Sequence, residues 1–320
     1  MKGELVELGE GEANLIPQKA LASQRTESSR KAMKGDLATI EEVFGVPAEF
    51  IPWERVNREH VEYFIARLKE GGLAPSTINR KLNSLRQLIK FAYFEGLIDD
   101  RRYALLRDVK GVRGERVGKG RAYTRDEVVG LITSIDTSDL KGKRDRTMLA
   151  VLFTTGMRRS ELVSVRVGDL VTDVGRPALR VLGKGDRERI VPLRADIKRL
   201  LDGWLEASGR ELMEDTPLFC QVRKFGRGEE AEYHCVDPQK PLSTNAIYDL
   251  IQQYSDSELT PHDARRTFVT QALDSGASYV QVAAVTGHAS VDMVATYERR
   301  HDAMVNSAVD KLDLPSLNGN

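Results

Sequence analysis

The sequence predicts a mainly α-helical protein with a small β-sheet, in which a helical first domain precedes a mixed α/β second domain. Three observations lead there. Apolar residues recur at helical spacing through most of the 320 residues. A strand-like pattern is confined to residues 178–192, ALRVLGKGDRERIVP, which read as two short strands joined by a Gly-containing turn. Between the two domains lies 111–121, GVRGERVGKGR, a Gly-rich basic stretch without apolar periodicity, as expected of a linker. A chain of this length can bury two separate cores.

In chain order, residues 1–22 lack helical periodicity and are expected to form a flexible lead-in. Residues 23–110 are helical. Asn57 caps a helix whose Val61, Phe64, Ile65 and Leu68 fall at i, i+3, i+4 and i+7, and Gly71 ends it. Ser76, preceded by Pro75, starts another helix, with Leu82, Leu85, Ile89 and Ala92 as its apolar stripe and Gly96 as its stop. Its other side carries Arg80, Lys81, Arg86 and Lys90 with no acidic residue between them. Solvated faces usually mix signs, so this one is expected to meet an anion.

The second domain spans 122–301. Thr124 followed by Glu127 is a capping-box start, and Met148, Leu149, Leu152 and Phe153 pack a helix around 144–155. After the strand pair come helices near 244–254, 261–275 and 279–286, and a shorter one beginning at Ser290. Residues 302–320 form a tail, in which 302–313 can fold as a helix with Ala303, Met304, Ala308, Val309 and Leu312 as its apolar residues.

Composition narrows the function. The formal net charge is zero, but residues 51–200 carry 32 Lys and Arg against 20 Asp and Glu, a surplus of 12. Such a concentration suits a phosphate-facing surface. No run approaches the roughly 18 apolar residues of a membrane span, and the acidic N-terminus has no secretory pattern, so a cytoplasmic protein is expected. The two cysteines, Cys220 and Cys235, have no CxxC spacing and no His at ligand distance, which argues against a disulfide framework or a zinc site.

Five features of the second domain point to one site. TTGMRRSEL places Arg158 after Gly156 at a helix junction, with Glu161 three residues on. VLGKGDRERIVPL presents Lys184 between two glycines on a turn. In TPHDARRTF, Thr260 caps a helix with Pro261 first, so His262 and Arg265 share a face at a helix N-terminus that favours an anion. VTGHAS puts His288 just after a helix end at Gly287, and Tyr297 follows nine residues later. Each has a plain structural reading: Arg158 pairs with Glu161, His262 satisfies a buried group, GKG is a turn. Together they supply what phosphoryl transfer by a tyrosine requires. Two guanidiniums bind the extra negative charge on phosphorus, Lys or His protonates a leaving alkoxide, and a side-chain nucleophile conserves the cut bond. No clustered carboxylates suggest a metal, and no cofactor is implied.

At these residues the sequence resembles the tyrosine recombinases, the phage integrase family. The motifs are G-x-R-x-S-E-L at 156–162, G-K-G-x-x-x-R at 183–189, H-x-x-R at 262–265, G-H at 287–288 and Tyr297, and the likeness covers roughly 23–312. It implies a core-binding domain and a catalytic domain closing as a C-shaped clamp on double-stranded DNA. Arg158 and Arg265 would bind the scissile phosphate and Lys184 would protonate the 5′ oxygen. His262 would act as general base or phosphate ligand, His288 would hydrogen-bond the phosphate, and Tyr297 would form a 3′-phosphotyrosyl link. Glu161 would hold the site in shape. The tail would dock on a neighbouring subunit of a homotetramer acting on paired recombination sites through a Holliday junction.

The sequence departs from the pattern in places. Arg159 stands where the family usually has an aliphatic residue, so it is expected to reach DNA or a partner subunit. Thr286 replaces the commoner Leu, and 220–241 is long. The short stretch before Ser23 leads to the expectation of a simple recombinase without an arm-binding domain. Two alternatives stay open at this point, a type IB topoisomerase and a DNA-binding accessory protein with an idle site.

Overall fold

The computed structural model describes residues 8–114, 120–183, 185–228, 231–288 and 290–295. The chain divides into two units, Met1–Gly118 and Lys119–Asn320.

The first unit is all helical: α1 (Ile16–Ala22), α2 (Glu27–Phe44), α3 (Arg58–Glu70), α4 (Pro75–Phe94) and α5 (Asp100–Asp108). The local signals act where expected. Asn57 accepts from the His60 backbone N–H while the His60 ring accepts from Asn57 N–H, so both orphan donors of the first turn of α3 are satisfied. Pro75 is itself the first residue of α4, one earlier than read from the sequence, because its fixed φ suits that position. Leu82, Leu85, Leu88, Ile89 and Ala92 of α4 are buried against Ile40, Phe44 and Phe64. Each leucine or isoleucine among them contributes on the order of 1.5–3 kcal/mol by leaving water.

Two expectations for this unit need correction. The lead-in 1–22 is not free over its described part: Leu8, Ile16 and Ala20 are in the core, and Gly11 and Asn14 donate their N–H groups to the Phe50 and Glu49 carbonyls at 2.8 Å. The cationic face of α4 is also not without an acid. Asp36 of α2, 1% exposed, takes Arg80 and Lys81 as ion-pair partners and accepts from Ser84 Oγ at 2.7 Å. Arg86 donates to the Val109 carbonyl, fastening the end of α5, and Lys90 lies over the Phe94 ring, 5.4 Å from its centroid. Four like charges thus divide into two that neutralise a buried carboxylate, one that anchors backbone and one that remains exposed. The linker reading of 111–121 is narrowed too: Asn79 bonds both the N–H and the carbonyl of Val112, so 111–112 belong to the first unit.

The second unit contains α6 (Arg125–Thr133), α7 (Leu140–Thr155), α8 (Arg159–Ser164), α9 (Ala195–Ala207), α10 (Thr244–Tyr254), α11 (Pro261–Asp274) and α12 (Tyr279–Thr286), and residues 291–295 are helical. The strand pair is β2 (Arg176–Gly183) with β3 (Arg187–Pro192). An additional strand, β1 (Leu170–Asp173), completes an antiparallel sheet in the order β1-β2-β3. The long segment 220–241 is explained by a second hairpin, β4 (Gln221–Phe225) with β5 (Glu232–Val236). Cys220 and Cys235, both unoxidised, sit at this hairpin, Cys220 directly before β4 and Cys235 on β5 opposite Val222.

Helix α7 is the centre of this unit, apolar almost all round, with Met148 to Phe153 buried in sequence. Its two buried charges are matched. Asp145 accepts from Arg144, Lys141 and the Tyr254 hydroxyl, and Arg144 also donates to the Cys220 carbonyl at 3.2 Å. Among the described residues no helix is long and apolar enough to cross a membrane.

Candidate active site

The site is built where α7 ends. Gly156 closes that helix in the left-handed region at φ 61°, and a Cβ there would come within 2.6 Å of the Phe268 ring, so only glycine fits. The chain turns at once into α8, capped by Arg158. Glu161 Oε2 accepts the Arg158 N–H at 2.8 Å and its Oε1 accepts Arg158 Nη1 at 2.8 Å. The plain i to i+3 reading of this pair was therefore correct, and it is also how the guanidinium is aimed.

Glu161, 4% exposed, has a second cation. Arg189 of β3 donates from Nη2 to Oε2 at 2.8 Å and from Nη1 to Oε1 at 3.2 Å. The two guanidiniums outweigh the burial of the carboxyl, whose pKa lies below its ordinary value. Arg189 is the last residue of G-K-G-x-x-x-R, a position to which spacing alone assigns no role. The signal lay in strand alternation: Val191 is buried, so Arg189, two residues earlier, points to the same face.

The third wall is the C-terminus of α12. Its last carbonyls have no helical partners, and three arginines take them. Arg189 Nε donates to Val285 O at 2.8 Å, Arg265 Nη2 to Thr286 O at 2.7 Å, and Arg158 Nη2 to Gly287 O at 3.3 Å. Arg265, 4% exposed on α11, also donates from Nη1 to Gly156 O at 2.8 Å. The negative end of one helix thus balances guanidiniums whose burial would otherwise be costly. Gly287 permits this at φ 66°, since a Cβ would meet the Arg189 guanidinium at 3.0–3.3 Å.

His262 follows Pro261 in the first turn of α11, where Thr260 and Asp263 form the capping box. Its edge is exposed, yet its pKa is lowered, first by partial burial and then by the Arg266 guanidinium; Asp263 opposes this, and Arg265 and Arg158 add smaller pushes in the same direction as Arg266. His288, more buried, is pushed down to about 4, chiefly by burial and then by Arg265, Arg158, His262 and Arg189. His262 lies one turn before Arg265 on α11 and His288 directly follows Gly287, so both imidazoles feel the Arg158 and Arg265 guanidiniums. Three arginines against one carboxylate leave the site electropositive, a fit for an anion held in partly dry surroundings.

The structure therefore brings together Arg158, Glu161, His262, Arg265 and His288. Arg159, expected to reach outward, is exposed on the first turn of α8. Lys184, Tyr297 and the tail 302–320 lie outside the described residues. Among the described residues no group of His, Cys, Asp or Glu could hold a metal ion. The arrangement offers guanidinium and imidazole donors to an anion.

Residues 121–304 match the model of the phage integrase family, and residues 18–96 match that of the phage integrase N-terminal SAM-like domain. The chain belongs to the phage integrase family. It is a tyrosine recombinase, an enzyme that breaks and rejoins DNA. It is similar to tyrosine recombinase XerD of Staphylococcus aureus, 30% identical over 259 residues that cover 76% of this chain and 78% of that one. Tyrosine recombinase XerC of Chlamydia pneumoniae is 28% identical over 254 residues, 77% of this chain and 75% of that one. Among solved structures, a lambda integrase fragment dimer bound to a COC′ core site matches with a TM-score of 0.63 at 14% identity, covering 87% of this chain and 93% of that one. The Tn1549 transposon integrase in complex with circular intermediate DNA gives 0.61 at 19% identity, covering 94% and 98%. These two likenesses establish the shared fold.

Proposed function

We propose that this recombinase cuts one DNA strand by attack of the Tyr297 hydroxyl on a phosphodiester, and rejoins it to a partner strand through a Holliday junction. The observation that carries the reading is the convergence of Arg158, Arg265, His262 and His288 on one electropositive spot, ordered by Glu161 and Arg189.

In the forward step the phenolic oxygen forms a bond to phosphorus, and the bond from phosphorus to the 5′ oxygen breaks. The phenol proton passes to His262, whose lowered pKa keeps it unprotonated and able to accept near neutral pH. Lys184 supplies the proton to the departing 5′ oxygen. Arg158 and Arg265 hold the non-bridging oxygens as charge builds on them, and His288 adds a hydrogen bond. The 3′-phosphotyrosyl link keeps the energy of the cut bond, so a 5′ hydroxyl from the partner strand reverses the step without an added cofactor.

The partner would be double-stranded DNA, with Lys90 of the first unit and Arg159 of the second among the groups meeting phosphates. Four copies would act on two paired sites in the cytoplasm, each tail docking on the next subunit.

The test uses nicked suicide substrates carrying the chain's own site. Wild-type protein forms a covalent adduct and Tyr297→Phe forms none. An adduct from Tyr297→Phe, or relaxation of plasmids that lack the site, overturns the reading.

A further inference from the structure

Thr286 departs from the family's motifs in contact with the site, and it is fully buried. Its hydroxyl oxygen lies 2.6 Å from the Val282 carbonyl oxygen, one turn back in α12, and 2.7 Å from His288 Nδ1. Both are hydrogen-bond distances, but a hydroxyl has one proton. Were that proton directed at Nδ1, two oxygens would face each other at 2.6 Å with nothing between them. Directed at Val282, it bridges the oxygens, and the hydroxyl oxygen then accepts from a proton on Nδ1. Only the second arrangement satisfies both contacts, and buried Thr hydroxyls in helices make this i−4 bond readily.

We propose that Thr286 is a positioning residue that fixes neutral His288 with its proton on Nδ1 and a lone pair at Nε2, so that His288 must take up a proton to engage a DNA phosphate. The second half rests on the proposed role of His288 as a phosphate ligand. A phosphate oxygen is an acceptor, and so is Nε2 in this tautomer. Contact therefore requires a proton to add to Nε2, giving an imidazolium that donates from Nδ1 to Thr286 and from Nε2 to the phosphate.

The charged groups around the ring set the balance. Arg158 from the α7–α8 turn, Arg189 from β3, and Arg265 and His262 from α11 all oppose protonation in the free protein, with the Glu161 carboxylate already shared between two of them. An arriving phosphate offsets those cations and favours the imidazolium. With an aliphatic residue at 286, the hydroxyl that accepts from the Nδ1 proton would be gone, and neutral His288 could carry its proton on Nε2 and donate directly. The threonine thus ties phosphate engagement to proton uptake.

The experiment has two arms. In the first, ¹⁵N-labelled histidines of the DNA-free protein are read by NMR near pH 7, with His288→Gln assigning the signal among the five histidines. The proposal expects Nδ1 of His288 to be the protonated nitrogen in wild type and in Thr286→Ser. In Thr286→Val the proton should shift towards Nε2. A wild-type ring protonated on Nε2, or one unchanged by Thr286→Val, overturns it. In the second arm, adduct formation on suicide substrates is followed against pH. Wild type and Thr286→Ser should slow about tenfold per pH unit above the ring's pKa in the complex, one proton being required. Thr286→Val should lose that alkaline fall, and identical profiles for the three overturn the proton-uptake step. The arms separate the two readings: absence of any wild-type adduct sinks the recombinase mechanism and leaves the first arm standing.

Discussion

Glu161 and Arg189 form a bidentate pair across 28 residues of sequence, Nη2 to Oε2 at 2.8 Å and Nη1 to Oε1 at 3.2 Å. The same guanidinium spends its Nε on the Val285 carbonyl, and the same carboxylate orients Arg158. Neither residue needs to touch DNA for the cradle to depend on both.

Arg189→Met should therefore slow adduct formation by about 100-fold, the scale expected when reacting groups shift by roughly 1 Å, while non-covalent DNA affinity changes little. Suicide-substrate rates beside gel-shift affinities check this. An equal loss in both would show that Arg189 contacts the phosphates itself.

Glu161→Ala should cost more in stability, about 3 kcal/mol, because it leaves two neighbouring guanidiniums without their carboxylate. Urea unfolding of the variant measures it. A change below about 1 kcal/mol would mean that solvent replaces the carboxylate.

Replacing Arg158 or Arg265 by Ala should lower adduct formation by about 100- to 1,000-fold, the usual effect of losing one donor to developing charge. The two should differ in another respect. Arg265→Ala leaves the Gly156 and Thr286 carbonyls without their donors and should lower the thermal midpoint, whereas half-exposed Arg158 should have the smaller effect on stability.

The free protein should lose stability on acidification. His288 titrates at about 4 when folded, against an ordinary value of 6.5. Above pH 6.5 both states are neutral and nothing is lost. As pH falls from 6.5 to about 4, the unfolded chain binds a proton that the folded chain refuses, so stability drops across that window. His288→Gln should remove part of the slope, on the order of 2 kcal/mol over the window after allowing for solvent. Identical pH profiles for variant and wild type would contradict the geometry.

Charge reversal should separate the cations of α4. Lys90→Glu should weaken DNA binding and reduce the log–log salt slope by about 0.9, one phosphate's share. Arg86→Glu should instead release Val109 and lower the melting temperature, since its guanidinium holds backbone. A stable Arg86→Glu protein with weakened binding would restore the simple basic-face reading.

What the sequence revealed here was mostly local. Asn57, Thr124 and Thr260 were readable as caps because each signal and its partner lie within four residues. Arg158, His262, Arg265 and His288 were readable by type and spacing. Non-local pairings were hidden. Nothing near Arg80 announces Asp36, which reaches it only when α2 packs on α4. In RERIVP either Ile190 or Arg189 could face inward, and only pairing of Val191 with Leu179 on β2 decides for the arginine. The hairpin of β4 and β5 lacks a two-residue turn signal, so 220–241 read only as length.

The last carbonyls of α12 receive arginines from three separate stretches of chain: the α7–α8 turn, β3 and α11. They act as a shared latch. Sliding that helix by one residue would break three charge-assisted bonds together, so a partly assembled cradle has little to hold it. The polypeptide runs on from this latch to Tyr297, nine residues beyond His288. A displacement of α12 would therefore release all three guanidiniums in one event rather than one at a time.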